Sequence, residues 1–533
     1  MRSTRRSLGI LIGMLAVWTG LQLQWIATDE RLPDWETARD VGAIEDWAGH
    51  WGPSGDGFLD TLRQVGLARS GEYPALYPAL SGALAHATGL LDWNADGPAK
   101  LALLWAWLAG IGTWGIGRAL GDEETGLLAA FVLLCSPLYT ALAREPLMEC
   151  GMTAFVALAA ACGLAAVREA GHRRRLGAWA CLGLFAGAAL LTKQTAVLAL
   201  LPLGLVLLFI NGSRWLGPAV AMGVCIAVCG PWYLQAIVAS DDYLWRSAQA
   251  NPAAVGPLRQ LLFYPLAFTQ QAWPAPVGAL LAGLGVVSWR RGLTPRTGRW
   301  SIPLAVLLCG LFLLMGIPKK YPRLLLPLLP LAATLGALWL QRWPAGLRRT
   351  WLGVAAFGGL ANIWALGPTS AALGAWDNGL SEVDERCYQE WVRPADPQAF
   401  DWGRLVALVE SAGGAGEAYS VGAVAWPAPP CAYQTTLHLG EHLQVRLRRA
   451  GTEATVQTAG SWTPEDGWFG GPPQVLLSEG PLDCSRLRTI CADIGILEEQ
   501  GSLAFNHPDW AVELFVYRIT PPGPPSLTPP QQL

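Results

Sequence analysis

The chain has 533 residues, of which 52% are hydrophobic and 14% are charged. A chain this long and this apolar is not expected to be water-soluble, so we predict a protein of the lipid bilayer. The formal net charge of -3 supplies no basic field for a nucleic-acid backbone, and nucleic acid is therefore excluded as an expected partner.

Eleven apolar segments are long enough to cross a bilayer as helices, for which about 17 to 25 residues are needed. They lie at residues 8–26, 98–117, 125–142, 149–167, 176–192, 194–211, 216–234, 272–289, 301–317, 324–340 and 351–367. Arginines collect in every second connection between these segments. The positive-inside rule therefore predicts a cytoplasmic N-terminus and an extracytoplasmic C-terminus.

Two apolar segments need separate interpretation. The first span follows a basic N-terminus, but no small-x-small cleavage site follows it, so an uncleaved anchor is expected rather than a signal peptide. The segment "YPALYPALSGALAHATGLL" at 73–91 would invert the orientation of every later span if it crossed the membrane. We therefore interpret it as interfacial or re-entrant, within a first outer loop at 27–97.

The character of the chain changes near residue 378, where long apolar runs stop and charged residues, Pro and Gly return. Residues 1–377 are thus expected to form a membrane domain, 378–520 an extracytoplasmic α/β domain, and 521–533 a disordered proline-rich tail. The α/β prediction rests on a helix at 401–414 and strands at 417–425, 435–449, 473–480 and 511–519.

Cysteines and a histidine motif raise two further possibilities in this outer domain. Its four cysteines favour at least one disulfide, whose connectivity stays open: Cys387, Cys431, Cys484 and Cys491. The motif "HLGEH" at 438–442 matches a zinc-protease pattern, yet the apolar residues around it alternate with period two, as in a strand. Histidines four apart on a strand are separated by about 13 Å, so shared zinc ligation is not expected.

Charged residues gather at the predicted outward ends of the spans. All four lysines map there: Lys100, Lys193, Lys319 and Lys320. Lys193 interrupts two apolar runs in "LLTKQTAVLALLPL", which makes it a functional candidate, with an anchoring lysine as the alternative. Acids reach the same side in "TDERLPDWE" and in "REPLMEC". Such a set suits a phosphate-bearing amphiphile, because cations can hold the phosphate while a carboxylate takes a proton from an attacking hydroxyl.

Four stretches, in their order and topology, resemble the polytopic glycosyltransferases of the GT-C superfamily. Within it the resemblance is greatest to family 39, the protein mannosyltransferase and aminoarabinose transferase type. The stretches are "TDERLPDWE", "SPLYTALAREPLMECGMTAFVALA", "LLTKQTAVLALLPL" and "PKKYPRLLLPLLPLAATLGA", within about residues 8–340. The resemblance implies a helical membrane protein of GT-C type in a bacterial inner membrane. It also implies a polyprenyl-phosphate-linked sugar donor and inverting transfer to a protein, lipid or polysaccharide.

The same resemblance implies roles for individual residues. The catalytic base is an acid just after the first helix, which is Asp29 or Glu30 in "DE" or, in a second register, Glu36 in "LPDWETA". The sequence leaves that choice open. Glu149 stands where the second family acid is usually Asp. The side chain of Glu149 is longer than that of aspartate, which casts doubt on metal ligation. A divalent cation therefore stays a possible cofactor. Lys193 matches the family lysine near the donor phosphate, and the weaker phosphate candidates are Arg144 and Lys320.

Two other classes of function stay open at this point. A transporter or flippase of lipid-linked sugars would also place charges at membrane depth. A membrane scaffold without catalytic activity is the third interpretation.

Overall fold

The structure is a computed structural model. It describes residues 2–28, 35–51, 58–67, 69–70, 73–90, 96–169, 171–212, 214–238, 262–265, 267–268, 300–317, 322–364, 402–413, 419–424, 443, 447, 454–459, 475–479, 496–507 and 510–520. Contacts divide the chain into two compact units. One comprises Met1–Thr28 and Ala43–Ala395, and the other comprises Asp29–Gly42 and Asp396–Leu533. The predicted boundary at 377/378 and the predicted tail lie outside the described residues.

Residues 2–364 are predominantly helical where the structure describes them. The helices are α1 (Arg2–Ile26), α2 (Trp35–His50), α3 (Phe58–Leu67), α4 (Leu76–Thr88), α5 (Asp96–Leu120), α6 (Glu123–Leu134), α7 (Pro137–Ala143), α8 (Met148–Arg168), α9 (His172–Thr192), α10 (Val197–Asn211), α11 (Leu216–Val238), α12 (Ser301–Met315), α13 (Leu329–Leu340) and α14 (Ala345–Trp364). Two 3-10 turns, Gln194–Ala196 and Pro322–Leu328, lead into α10 and α13, and a two-stranded hairpin joins β1 (Arg69–Ser70) to β2 (Tyr73–Pro74).

Seven helices within the described residues are long and apolar enough to cross a membrane, and a bent pair formed by α6 and α7 would make an eighth. These eight correspond to eight of the eleven predicted spans. The chain is accordingly an integral membrane protein. The predicted span at 272–289 lies outside the described residues. The predicted span at 301–317 contains α12, which has 15 residues. The predicted span at 351–367 contains most of α14, which is not among the seven.

The break between α6 and α7 bends the chain by 71°. It occurs at Ser136, whose extended backbone and side-chain oxygen cap the first turn of α7. Pro137 follows in that first turn, where its missing N–H is not needed. The Thr140 hydroxyl donates to the carbonyl of Leu134 across the break. Because of the break, α7 runs in a different direction from α6, and Arg144 follows at its C-terminus.

Within residues 73–90 the chain forms β2 and α4, and α4 is not among the helices that are long and apolar enough to cross a membrane. With 13 residues, α4 is about 20 Å long, which is shorter than the roughly 30 Å hydrocarbon core. Gly89 ends it in a left-handed conformation, with φ of 68°. Gly82 lies directly against the backbone of α2, where an added Cβ would meet Ala48 N at 2.7 Å. The length of α4 therefore agrees with an interfacial or re-entrant segment.

One end of the helical unit, here called the Asp122 end, joins helix termini that are distant in sequence. Arg118 pairs with Glu123 at 2.9 Å, and Arg348 pairs with Glu124 at 3.2 Å. The Arg168 side chain donates to the carbonyls of residues 118 and 119. Arginines that define three predicted cytoplasmic connections therefore lie at one end of the bundle.

The second unit carries a five-stranded mixed sheet. Its elements are α15 (Trp402–Gly413), β3 (Tyr419–Val424), β4 (Ala454–Ala459), β5 (Val475–Glu479), β6 (Ile496–His507) and β7 (Trp510–Thr520). The strand order is β4-β3-β5-β7-β6, with β3 parallel to β4 and β5, and β7 antiparallel to β5 and β6. Helix α15 packs against β5, β6 and β7 and buries Leu405, Val409 and Ala412 on one face. The predicted class, a polytopic helical protein with a C-terminal α/β domain, is confirmed.

The predicted strand at 435–449 is wrong where the structure describes it. Leu443 and Leu447 have helical backbone, and both are fully buried. Residues four apart lie on the same face of a helix, and they also lie on the same face of a strand. The spacing of Leu443 and Leu447 therefore does not distinguish the two structures. The prediction that "HLGEH" does not bind zinc stays a prediction. That motif and the four outer cysteines lie outside the described residues.

Candidate active site

A buried ionic cluster lies at the opposite end of the helical unit, here called the Glu149 end. Oε1 of Glu149 is 2.6 Å from Nζ of Lys193 and 3.2 Å from Nε of Arg323. Glu149, Lys193 and Arg323 are only 1%, 4% and 3% exposed. One carboxylate oxygen thus contacts two cations in a nearly dry setting.

Local backbone structure brings the three residues together. Glu149 lies in the first turn of α8, where the helix dipole favours a negative charge. Lys193 adopts an extended conformation, with φ of -156° and ψ of 134°, between α9 and the 3-10 turn that follows. That break ends α9 and lets the lysine contact α8. Arg323 comes from the 3-10 turn Pro322–Leu328, which packs against α8 and precedes α13.

An aromatic ring supports the lysine. Nζ of Lys193 lies 5.0 Å from the ring centroid of Tyr73, on β2. This distance is within the range in which a cation is attracted by the negative face of an aromatic ring. Tyr73 is 9% exposed, so the interaction occurs away from bulk water. The stretch between α3 and α4 therefore contributes directly to the cluster.

Arg144 forms a second buried cationic position. It follows α7 and is 2% exposed. Its guanidinium carbon lies 3.4 Å from the ring centroid of Trp25, near the C-terminus of α1. Stacking on an indole face is a common arrangement for arginine. Arg144 is not among the two cations that pair with Glu149 in the described contacts.

The structure describes some of the site residues predicted from the sequence and not others. Glu149 and Lys193, which were expected at the same membrane depth, are in direct contact. Asp29, Glu30 and Lys320 lie outside the described residues, and for Glu36 the structure describes only helical backbone, in the first turn of α2. The roles assigned to these residues stay predictions.

Arg323 was missed by the sequence analysis. A signal was present, because this arginine directly precedes the apolar run "LLLPLLPL" in a stretch already singled out for its lysines. A charge at the entrance of a membrane span deserves the same weight as one between two spans.

The described donors do not fit a divalent cation. No group of three His, Cys, Asp or Glu side chains within the described ranges could hold a metal ion. At Glu149 the contacting groups are themselves cationic, which opposes binding of a further positive ion.

Comparisons with known proteins support the fold and the family resemblance. Residues 84–234 match the family model of dolichyl-phosphate-mannose-protein mannosyltransferases. This range contains Arg144, Glu149 and Lys193. No curated protein matches the sequence significantly.

The solved structures that resemble this chain include ArnT from Cupriavidus metallidurans. The form bound to undecaprenyl phosphate matches with a TM-score of 0.59 and 14% identity, over 95% of this chain and 98% of that chain. The apo form matches with a TM-score of 0.59 and 13% identity, over 96% of this chain and 97% of that chain.

A weaker similarity links the chain to the oligosaccharyltransferase AglB from Archaeoglobus fulgidus, solved with an inhibitory peptide and a dolichol-phosphate. It has a TM-score of 0.48 and 11% identity over 96% of this chain and 74% of that chain. The family match covers residues 84–234, and the fold over nearly the whole chain is similar to that of ArnT; both agree with the resemblance to the GT-C glycosyltransferases.

Proposed function

We propose that the chain transfers a sugar from a polyprenyl-phosphate-linked donor to an acceptor at the outer face of the membrane. The observation that carries the proposal is the buried cluster in which Lys193 and Arg323 converge on Glu149. It occurs in a fold shared with a protein that was solved with undecaprenyl phosphate bound.

The cations at the Glu149 end suit the phosphate of such a donor. Burying a charged group costs several kcal/mol, so cations in this position need a compensating anion or a functional reason. A polyprenyl phosphate places an anion at the membrane boundary while its tail stays in the hydrocarbon. Lys193 and Arg323 would bind that phosphate, with Arg144 and Lys320 as further candidates. Their attraction for it is strong because little water screens it.

Glu149 is proposed to support the site and not to act as the base. Its Oε1 contacts two cations, which hold the carboxylate in place. A proton acceptor must instead reach the attacking hydroxyl. The base is therefore proposed to be Asp29, Glu30 or Glu36, which follow α1.

The proposed transfer is a single displacement. The acceptor hydroxyl attacks the anomeric carbon, the base takes its proton, and the bond from that carbon to the phosphate oxygen breaks. The electron pair of this bond leaves with the polyprenyl phosphate, whose developing charge Lys193 and Arg323 would stabilise. A single displacement inverts the configuration at the anomeric carbon.

The orientation that this proposal needs puts the Asp122 end in the cytoplasm and the Glu149 end outside. A reporter that is active only in the cytoplasm, fused at Gly451, is expected to be silent. An active reporter at this position would contradict the orientation.

The experiment that tests the function compares amide variants of the acids after α1. Cells lacking the chain receive the parental protein, Asp29→Asn, Glu30→Gln or Glu36→Gln, and outer-surface glycans and lipids are compared by mass spectrometry. A positioned general base contributes about 10² to 10⁴-fold, so one variant should lose transfer by that factor. We expect Asp29→Asn to be that variant and Glu36→Gln to lose little.

Asp60→Asn is the matched control, because Asp60 is an exposed acid of the same predicted loop, in the first turn of α3. If all of these variants transfer sugar at the parental rate, the proposed mechanism fails. If the chain changes only the distribution of a lipid-linked sugar across the membrane, it is a transporter. If it changes neither, it is a scaffold.

A further inference from the structure

Two buried cations of the Glu149 end lie on aromatic faces. Nζ of Lys193 is 5.0 Å from the ring centroid of Tyr73, and the guanidinium of Arg144 is 3.4 Å from that of Trp25. The two rings come from separate elements, β2 and α1. All four side chains belong to residues that are 9% exposed or less.

An aromatic face differs from a carboxylate in what it does to a cation. A carboxylate cancels the charge and occupies N–H donors, whereas a ring attracts the cation through its quadrupole and leaves charge and donors in place. A ring therefore fixes the position of a cation without occupying its N–H donors, and at Lys193 the ring of Tyr73 adds to the contact of Nζ with Glu149. The ring also supplies apolar contact for the aliphatic stem of a lysine or arginine.

Local structure indicates that these rings are held firmly. Trp25 is 6% exposed, and both aromatic residues belong to the hydrophobic core of the helical unit. Tyr73 precedes α4, in which Tyr77 is fully buried. The ring centroid of Tyr77 lies 5.7 Å from that of Trp105. An aromatic ring that is packed on its sides restricts the position of the cation on its face more than a mobile side chain would.

We propose that Tyr73 and Trp25 are positioning residues that hold Lys193 and Arg144 for the phosphate of the lipid-linked donor. This inference rests on the proposed function. The rings do not contact the reacting atoms. They act through the cations, so their effect should appear in phosphate binding and should depend on the cation being present.

The test measures binding of undecaprenyl phosphate to the full-length protein in lipid nanodiscs. Tyr73→Leu and Trp25→Leu, which remove the ring but keep apolar bulk, should each weaken binding about tenfold, as expected for a largely desolvated cation–π contact. Tyr73→Phe keeps the ring face and should bind within about twofold of the parental protein. Circular dichroism and thermal unfolding establish that each variant is folded.

The matched control is Trp114→Leu. Trp114 holds Arg118 at 5.3 Å in an equivalent contact at the Asp122 end, and its loss should leave binding within about twofold of the parental value. A double-mutant cycle supplies the second readout. In a Lys193→Met background, Tyr73→Leu should cause no further loss if the ring acts through the lysine.

Three results would overturn the inference while leaving the proposed function intact. Tyr73→Leu and Trp25→Leu could bind as the parental protein does, Tyr73→Phe could lose as much as Tyr73→Leu, or the losses from Tyr73→Leu and Lys193→Met could simply add. If the parental protein itself does not bind undecaprenyl phosphate, the inference and the proposed function fail together.

Discussion

The two ends of the helical unit contain the same kinds of ion pair in opposite surroundings. At the Glu149 end, Lys193 and Glu149 are 2.6 Å apart, with side chains 5% and 1% exposed. At the Asp122 end, Arg118 and Glu123 are 2.9 Å apart, with side chains 48% and 21% exposed. The distances are similar, so burial is the property that separates the two ends.

That difference indicates why each set of charges is present. Exposed pairs contribute about 0 to 1 kcal/mol, and the arginines among them also suit the cytoplasmic side of a membrane protein. A buried pair loses several kcal/mol of hydration per ion, so stability alone is a poor reason to keep it. The comparison supports the proposal that the Glu149 end binds the donor phosphate, and it agrees with the predicted cytoplasmic position of the Asp122 end.

The largest expected effect follows removal of the shared carboxylate. Glu149→Ala leaves Lys193 and Arg323 without this partner, and breaking a buried pair lowers the free energy of unfolding by about 3 to 5 kcal/mol. Thermal unfolding in detergent and sugar transfer in membranes would both show the loss. Glu149→Asp keeps the charge and should retain activity. An aspartate variant as inactive as the alanine variant would contradict the supporting role.

The next effect concerns the lysine. Lys193→Ala should reduce sugar transfer by about 10²-fold or more, because the variant lacks a cation that we propose stabilises the departing phosphate. Arg118→Ala removes a cation of the exposed end and should transfer sugar at close to the parental rate. Equal losses in the two variants would erase the functional distinction between the ends.

A smaller effect is expected for the cap at the Asp122 end. Asp122 caps α6 by accepting from the backbone N–H and the hydroxyl of Thr125, both at 2.8 Å. Asp122→Ala should lower the free energy of unfolding by about 0.5 to 2 kcal/mol without changing donor binding. Thermal unfolding and binding of undecaprenyl phosphate, measured on the same preparation, check both parts.

The same cap predicts a pH dependence. Burial raises the pKa of Asp122, but hydrogen bonds from Thr125 and Gln341 outweigh it and hold the pKa below its ordinary value. Because the pKa of Asp122 is lower in the folded state, its ionised carboxylate stabilises the folded protein at pH values above the unfolded pKa of about 3.9. This stabilisation is lost as the pH falls through the folded-state pKa. The difference in unfolding temperature between parental protein and Asp122→Asn should therefore shrink in acid. A constant difference would contradict this account.

The smallest effect belongs to the exposed pair of Arg348 and Glu124, 3.2 Å apart. Arg348→Gln should change the free energy of unfolding by less than about 1 kcal/mol. Raising the salt concentration should abolish that difference, because salt screens exposed charges within about 10 Å at 0.1 M. A large, salt-independent loss would show that this end is not merely a solvated surface.

Much of the membrane unit could be predicted because the bilayer imposes a local rule. About 20 apolar residues in a row must form a helix in lipid, and this requirement can be counted along the chain without knowing the neighbours. The outer unit obeys no such rule. Strand β6 was missed because "ILEEQGSLAFNH" combines charges and a glycine with few alternating apolar positions. The helical Leu443 and Leu447 were misassigned because alternation and a helical face coincide over five residues.

The sequence alone predicted the eight spans that the structure forms as long apolar helices or as the bent pair, because hydropathy and charge are properties of single residues summed over a short window. It also placed Lys193 and Glu149 on the same side, through the parity of the spans. Only the tertiary structure decided that these residues, 44 positions apart, meet at 2.6 Å, and that Arg323 and Tyr73 join them. Such contacts depend on the break after α9, the 3-10 turn before α13 and the packing of α4. These are set by all neighbouring elements together and leave no periodic signal in the chain.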